Sequence, residues 1–303
     1  MYDIIIIGGG AAGASAAIFA AKNRRRTLLL DKGPEFSALG GISLASDMPG
    51  CENLSGTEIL NRMKKQAVSF GAEVKAAAVT SCIIQESSKR IITNEPVTYE
   101  TKTVILATGN MSQSDSHAYQ GEKELWGRGV SHDAESNFHA CKGISVAIIG
   151  KSATVAETAL KVSRFADRVY WIIPASKLDV PQDLIDELEK QKKIEPLFSS
   201  SLKKINGTTE VSSVAVLTSG QEKNFSVKCV FLPPQQHKPI TDYLNGIGIQ
   251  TGPDGIILVS QQFETSIPGI FAAGNILCTK PQLNVVCAAQ GTIAALNTEK
   301  YLN

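Results

Sequence analysis

The side chains best suited to acid–base chemistry lie close together in the stretch GVSHDAESNFHACKG, residues 129–143. His132 supplies an imidazole, and Asp133 and Glu135 place two carboxylates beside it. Such a group can relay protons at a reaction centre. The same residues also suit a solvated surface loop, so the sequence leaves both interpretations open.

Thiol chemistry and metal binding have weaker support. The chain has six cysteines and no C-x-x-C pair, which predicts neither a zinc site nor a dense disulfide framework. His117, His139 and His237 are isolated from one another, and no metal site is expected. Cys278 and Cys287 stand nine positions apart. Buried structural thiols are the ordinary interpretation of these two, and a redox pair is the alternative.

A glycine-rich turn near the start indicates a different chemistry, the binding of phosphate groups. The β-branched run at 3–7 reads DIIII, and GGGAAG at 8–13 follows it in the G-x-G-x-x-G pattern. Small and apolar residues then recur to position 21, as in a helix packed on a sheet, and a second buried strand ends at Asp31. This spacing predicts a β-α-β unit.

Each part of this unit has a role in dinucleotide binding. Gly8 permits the tight turn, Gly10 lets the backbone approach a pyrophosphate, and Gly13 lets the helix pack on the strand. The helix start then offers free N–H groups to the phosphates. Asp31 lies 18 residues past Gly13, close to the usual distance for an acid that binds a ribose hydroxyl. We expect a dinucleotide site here.

The composition limits the other classes of function. Hydrophobic residues make up 43% of the 303 residues and charged residues 19%, with a formal charge of +1. A near-neutral chain gives no electrostatic case for binding nucleic acid or an anionic membrane. No apolar run approaches the length of a membrane span, and the start does not resemble a signal peptide. The scattered cysteines favour a reducing, cytoplasmic location.

Residues 144–176 repeat the strand, glycine turn, helix and strand of the first unit. Two such units predict an α/β protein with two nucleotide-binding (Rossmann-like) domains. The expected boundaries are a discontinuous first domain at 1–113 and 241–303, and a middle domain at 114–240. GNMSQSD and PPQQHKP are the expected crossings between them.

Together with ILATG (105–109) and TSIPGIFAAGN (265–275), the first glycine motif resembles the thioredoxin reductase family of flavoproteins. The resemblance covers nearly the whole chain and implies FAD as the cofactor. Carried over position by position, it implies that the ADP half is held by Gly8, Gly10, Ala11, Ala12, Gly13, Asp31 and Lys32. It assigns the remaining cofactor contacts to Asp47, Thr108, Gly109, Gly274, Asn275, Leu283 and Asn284, with Asn275 in place of the family's Asp.

Two parts of the family pattern are missing. The nicotinamide motif reads GKSATV here, with Ser152 and Val155 where glycine and alanine are usual, and Ile173, Pro174 and Ala175 replace the His-Arg-Arg that binds a 2′-phosphate. The redox cysteines that follow GVS are replaced by Asp133 and Ser136. A carboxylate and a hydroxyl cannot form a disulfide.

The altered nicotinamide motif resembles that of ferredoxin-dependent flavin thioredoxin reductases, whose cysteine pair is not present here. The leading hypothesis is an FAD-dependent oxidoreductase, with His132, Asp133 and Glu135 as catalytic candidates, that is reduced by ferredoxin or a similar protein. One alternative is a non-catalytic flavin-binding regulatory protein that binds a partner. Another is a disulfide reductase that uses displaced cysteines. The resemblance also implies a homodimer.

Overall fold

The computed structural model describes residues 1–42, 45, 47–85, 87–110, 119–132, 134, 138, 140–232, 239–252, 255–278 and 281–303. Within them, the strands are β1 (Tyr2–Ile7), β2 (Thr27–Asp31), β3 (Glu73–Ala76), β4 (Val79–Ile84), β5 (Lys89–Thr93), β6 (Thr98–Leu106), β7 (Val130–Ser131), β8 (Ser145–Ile149), β9 (Arg168–Ile172), β10 (Ile194–Leu197), β11 (Ser201–Gly207), β12 (Val211–Thr218), β13 (Gln221–Ser226), β14 (Cys229–Phe231) and β15 (Ile270–Ala272). The helices are α1 (Ala11–Lys22), α2 (Gly56–Ser69), α3 (Ala153–Ser163), α4 (Gln182–Glu189) and α5 (Asn284–Leu302).

Both expected β-α-β units are present, as β1-α1-β2 and β8-α3-β9. In the first, β1 pairs parallel with β2 on one side and with β6 on the other. The isoleucines of β1 are buried because the strand is central in its sheet and covered on both faces. The strands predicted from YETKTVILATGN, KCVFLPP and IPGIFAAGN are β6, β14 and β15.

The strands of the described residues form three sheets. A seven-stranded sheet has the order β3-β2-β1-β6-β5-β4, and β15 pairs with the carboxyl-terminal half of β6. A parallel five-stranded sheet has the order β10-β9-β8-β14-β7, and β11, β12 and β13 form an antiparallel sheet. The α/β architecture with two Rossmann-like units is therefore confirmed. The two crossing segments lie largely outside the described residues.

Helix α5 reaches the first glycine turn because it packs directly on α1. A Cβ added at Gly291 of α5 would lie 1.9 Å from the Ala12 carbonyl oxygen. Only glycine allows this approach, and it brings the amino-terminal turn of α5 to the carboxyl ends of β1 and β15. None of the helices in the described part of the chain combines the length and the hydropathy needed to cross a membrane.

The middle of the chain contacts the first sheet's loops through one aromatic side chain. The Trp126 indole lies so close to Gly41 that a Cβ on that glycine would be 2.4 Å from the ring. Gly127 stands against the Gly40 carbonyl oxygen in the same way. The GG pair at 40–41 therefore gives a flat backbone surface on which the indole rests.

Candidate functional site

A cleft opens to solvent at the carboxyl ends of β1, β2, β6 and β15, with about 70 Å³ of cavity volume. This edge of a parallel sheet is where α/β proteins bind ligands. Ten residues predicted for the cofactor line it: Gly8, Gly10, Ala11, Ala12, Asp31, Thr108, Gly109, Gly274, Asn275 and Asn284. The sequence interpretation missed other lining residues, namely Gly9, Phe36, Ser37, Ala38, Leu39, Ala107, Asn110 and Cys287.

Four predicted residues do not line the cleft themselves. Gly13 lies beneath the turn, where a Cβ would be 1.8 Å from the Gly8 carbonyl oxygen. The Lys32 ammonium stands 5.6 Å from the centre of the Phe36 ring. Leu283 precedes the first residue of α5, and Asp47 hydrogen-bonds to that residue, Asn284.

The glycine turn is shaped to receive a diphosphate. Gly8 has φ +101°, a conformation that side chains rarely adopt. Gly10 is the N-cap of α1 and has no side chain to cap the helix, so its first N–H groups face the cleft without a side-chain acceptor. A Cβ at Gly10 would meet only the Ser37 hydroxyl, at 3.3 Å. The turn thus leaves open the space that a phosphate needs beside a helix start.

Asp31 is held in place by two donors. Its Oδ1 accepts the Gly9 N–H at 2.9 Å, and its Oδ2 accepts Lys64 Nζ from α2 at 2.5 Å. The side chains of Asp31 and Lys64 are 11% and 15% exposed, which weakens solvent screening of the ion pair. The carboxylate is therefore fixed at the strand end, where a ribose hydroxyl would be bound. Lys64 has no motif that would mark it in the sequence.

Two thiols contact Asn275, and one of them, Cys287, lines the cleft. Cys287 Sγ donates to Asn275 Oδ1 at 3.2 Å, and Cys278 Sγ donates to the Asn275 carbonyl oxygen at 3.5 Å. Asn110, which is 2% exposed, directs its amide toward Cys278 Sγ at 3.9 Å. The structure thus brings the two cysteines, nine positions apart in sequence, onto one residue, and no disulfide joins them.

A threonine and a tyrosine support the wall of the cleft from behind. The Thr108 hydroxyl donates to the Ile240 carbonyl oxygen at 2.8 Å and lies 3.2 Å from the Tyr243 hydroxyl. Burial raises the pKa of Tyr243 well above its usual range. The phenol therefore stays neutral and serves as a structural support.

His132 is the one catalytic candidate within the described residues, since Asp133 and Glu135 lie outside them. His132 Nε2 is 2.9 Å from Glu122 Oε1, and Glu122 is 4% exposed. The imidazole also stands 5.0 Å from the Trp126 ring. It does not line the cleft. The described member of the acid–base group, His132, is thus half-buried and paired with the buried Glu122 beside the tryptophan.

The second glycine turn is closed by its own side chains. Ser152 is the N-cap of α3, and its Oγ accepts the Val155 N–H at 3.4 Å. The Val155 side chain lies against Gly150, where a Cβ would be 2.9 Å from Val155 Cγ2. Trp171 Nε1 donates to the Gly150 carbonyl oxygen at 2.9 Å and holds the turn from below.

Cys141 and Cys229 are in contact inside the middle sheet's core. The hydrogen bond between the two thiols, together with burial, raises the pKa of Cys229 well above its usual range. Within the described ranges, no group of His, Cys, Asp or Glu side chains could hold a metal ion.

The first cleft fits FAD on the geometry of the chain itself. It combines a glycine cradle that a Cβ would fill, an uncapped helix start for the diphosphate, and a fixed carboxylate for a ribose. The rest of the lining, from Ala107–Asn110 to Gly274–Asn275 and the start of α5, continues the cleft for a second, extended half of a dinucleotide.

Comparison with known proteins gives the family that the sequence motifs indicate. Residues 2–291 match the family Pyridine nucleotide-disulphide oxidoreductase. The chain is 36% identical over 306 residues to the thioredoxin reductase of Aquifex aeolicus (strain VF5), covering 100% of this chain and 94% of the relative.

Solved structures with similar folds include thioredoxin reductases as well. The thioredoxin reductase of Streptococcus pyogenes MGAS5005 is 27% identical, with a TM-score of 0.85 and coverage of 100% and 98% of the two chains. The ferredoxin-flavin thioredoxin reductase of Clostridium acetobutylicum, 24% identical with a TM-score of 0.51 and coverage of 99% and 98%, shares the fold. The chain therefore belongs to the thioredoxin reductase-like branch of the pyridine nucleotide-disulphide oxidoreductase family, whose members are FAD-binding flavoproteins.

Proposed function

We propose that this protein is an FAD-containing oxidoreductase that receives electrons from ferredoxin or a similar protein and does not use NAD(P)H. The observation that carries the proposal is the closed second turn. The Ser152 side chain satisfies the helix N–H that a nicotinamide diphosphate would need, and Val155 fills the space against Gly150. A bound dinucleotide would have to displace both.

The next strand supports the same conclusion. Ile173, Pro174 and Ala175 stand where the resemblance places cations for a 2′-phosphate. Ile173 is fully buried, and its backbone N–H donates to the Leu197 carbonyl oxygen at 2.9 Å. No cationic side chain is supplied by these three positions. The Clostridium acetobutylicum structure, which is named for ferredoxin, has this fold.

Residues of the first cleft hold the cofactor. The N–H groups of α1 would bind the diphosphate, Asp31 would accept a ribose hydroxyl, and Lys64 orients that carboxylate. Asn275 offers an amide to the hydroxyls of the second half, and Thr108 and Gly109 form the wall. FAD, when bound, accepts electrons singly or in pairs. A one-electron protein donor requires the first of these.

The usual dithiol relay is not part of the proposal, because Asp133 and Ser136 occupy the cysteine positions. One observation favours a second candidate, a disulfide reductase with displaced cysteines. Cys278 and Cys287 both hydrogen-bond to Asn275, a lining residue of the cofactor cleft. In that case a substrate disulfide would be reduced by these two thiols. A flavin-binding regulatory protein without turnover is the third hypothesis.

Anaerobic titration separates these functions. The FAD-loaded protein is mixed in turn with NADPH, NADH and reduced ferredoxin while the visible flavin absorbance is followed. We expect loss of absorbance with ferredoxin alone. Rapid loss with NADPH would refute the proposal, and no loss with any protein donor would favour the regulatory hypothesis. The variant Cys278→Ser with Cys287→Ser tests the second candidate, because it should abolish disulfide reduction and leave flavin reduction by ferredoxin intact.

The basic run at 22–26 has one member committed to an internal ion pair: Arg25 pairs with Glu299 at 2.7 Å. Lys22, Arg24 and Arg26 are exposed, although the Arg26 guanidinium also lies 4.8 Å from the Tyr2 ring centre.

We also propose a homodimer. Helix α5 exposes three apolar side chains that such an interface could cover, Val285, Ile293 and Leu296, which are 37%, 41% and 44% exposed.

The domain boundaries at 113/114 and 240/241 remain our proposal, and a cytoplasmic location stays a prediction.

A further inference from the structure

One aromatic side chain lines the cofactor cleft and is not part of the glycine motif. Phe36 lies five positions past Asp31, at the end of a short helical turn, Pro34–Phe36. The residue is 40% exposed. Aromatic side chains bind other flat rings through stacking as well as through the burial of apolar area. Phe36 is therefore suited to contact an aromatic part of a ligand.

The backbone around Phe36 is held by hydrogen bonds within its own loop. The Phe36 N–H donates to the Gly33 carbonyl oxygen at 3.2 Å, and the Ser37 N–H donates to the Pro34 carbonyl oxygen at 3.1 Å. The Gly41 N–H then donates to the Ser37 carbonyl oxygen at 3.2 Å. Because these bonds order the loop in advance, contact with a ligand at Phe36 costs little additional conformational entropy.

The neighbours of Phe36 show which end of the cleft it occupies. Asp31 accepts the Gly9 N–H at 2.9 Å, at the first side of the glycine turn. Ser37, the next residue after Phe36, faces the turn itself, since a Cβ at Gly10 would lie 3.3 Å from its hydroxyl. Phe36 thus stands beside the ribose acid and the diphosphate turn. A nucleotide bound to these two groups directs its base, which is joined to the same ribose, to this end of the cleft.

Lys32 adds a positive charge to the same ring. Its ammonium lies over the Phe36 ring, 5.6 Å from the ring centre, which is within the range of a cation–π contact. Nucleobases stack on aromatic side chains and are also attracted to cations through their π-faces. An aromatic ring and a cation held together at the ribose end therefore match the chemistry of a base.

We propose that Phe36, with Lys32 over its ring, is the platform on which the adenine base of FAD stacks. Phe36 determines affinity for the nucleotide half of the cofactor and has no role in electron transfer. This inference rests on the FAD site and is independent of the electron donor.

The test uses full-length protein stripped of cofactor, with FAD and ADP as probes. Dissociation constants are measured for the parent, Phe36→Ala, Phe36→Leu and Phe36→Tyr. Loss of the ring should weaken FAD and ADP binding alike by about 10-fold, the size of a lost base stack. Phe36→Leu keeps an apolar side chain and loses the π-face, so it should show most of this loss and serves as the test if the alanine variant does not fold. Phe36→Tyr should bind both probes as the parent does.

Fluorescence gives a direct measure of the contact. In Phe36→Trp the indole takes the place of the phenyl ring, and its emission should be quenched when ADP stacks on it. The parent, which contains Trp126 and Trp171, gives the background signal. Phe198, which is also 40% exposed, provides the matched control. Phe198→Trp should add no quenching by ADP, and Phe198→Ala should leave both affinities unchanged.

Two results would overturn the proposal. One is parental ADP affinity in the Phe36→Ala and Phe36→Leu variants, and the other is a loss of affinity for FAD without a loss for ADP. Gly10→Val separates such a failure from an error in the FAD site, because filling the turn should weaken ADP binding wherever the base lies. Because the assays involve no electron transfer from ferredoxin, failure here leaves the proposed donor unaffected.

Discussion

The two glycine turns have the same place in their β-α-β units and opposite properties at the helix start. Gly10 and Ser152 are both N-caps with extended backbones. At Gly10 there is no side-chain cap, and the N–H groups of α1 face an open cleft. At Ser152 the hydroxyl caps α3 itself, and Val155 lies against the turn.

The comparison shows that the residues at the turn, rather than the fold, decide whether the helix start is capped by a side chain. Both units have a parallel sheet, a crossover helix and a glycine with positive φ at the strand end, Gly8 and Gly150. The first helix start has no side-chain cap, which reserves it for a ligand, and the second is satisfied by the protein. Helix capping stabilises a protein. The side-chain cap at Ser152 should therefore stabilise the second turn and, on our proposal, weaken its binding of an anion.

The largest expected effect comes from filling the open turn. Gly10→Val should give protein purified without flavin, with FAD affinity weakened by at least about 100-fold, because the side chain enters the space of the diphosphate. The fold should persist, since a Cβ there meets only Ser37 Oγ. The flavin-to-protein absorbance ratio and circular dichroism measure the two properties. Full flavin content in this variant would mean that the diphosphate lies elsewhere.

Removing the acid of the first turn should have a smaller effect. Asp31→Ala deletes the ribose acceptor and leaves Lys64 without its carboxylate, and we expect FAD binding to weaken by about 30-fold, or ~2 kcal/mol. Lys64→Met, which keeps Asp31 bonded to Gly9, should weaken binding only a few-fold. Fluorescence titration of cofactor-free protein measures both. Equal losses would show that the ion pair, rather than the carboxylate, determines affinity.

Opening the second turn should affect stability and not the cofactor. Ser152→Ala removes the α3 cap and should lower the free energy of unfolding by about 1 kcal/mol, with flavin content unchanged. Urea denaturation of the FAD-loaded protein measures the loss. Thr158→Ala controls for the loss of a hydroxyl from the same helix, because the Thr158 hydroxyl donates to the Thr154 carbonyl oxygen and caps nothing. A stability equal to the parent's would contradict the capping role of Ser152.

The smallest expected effect is none at all. Millimolar NADPH should leave the melting temperature unchanged, because we expect it not to bind. A ligand that binds only the folded state must raise the melting temperature by mass action. Excess FAD added to cofactor-free protein provides the positive control in the same instrument. A clear rise with NADPH, lost in a variant at Ser152, would show that the second turn opens to admit a dinucleotide.

The sequence by itself determined both β-α-β units and most of the cofactor cleft. Gly8, Gly10, Gly13 and Asp31 could be placed because the constraints on them are local. A tight turn needs positive φ, and close packing of a helix on its strand excludes a side chain, so the residue types follow within about 30 positions. The changes at the second turn could be predicted for the same reason, from the residue types at Ser152 and Val155.

Only the tertiary structure decided which distant side chains complete the site. Lys64 meets Asp31 across 33 positions, and Asp47 meets Asn284 across 237. Cys287 reaches Asn275 because Gly291 lets α5 pack on α1. His132 pairs with Glu122, a residue that no motif marks. Such contacts depend on the path of loops and the packing of helices, which are fixed by the sum of many interactions along the whole chain and have no short-range pattern to announce them.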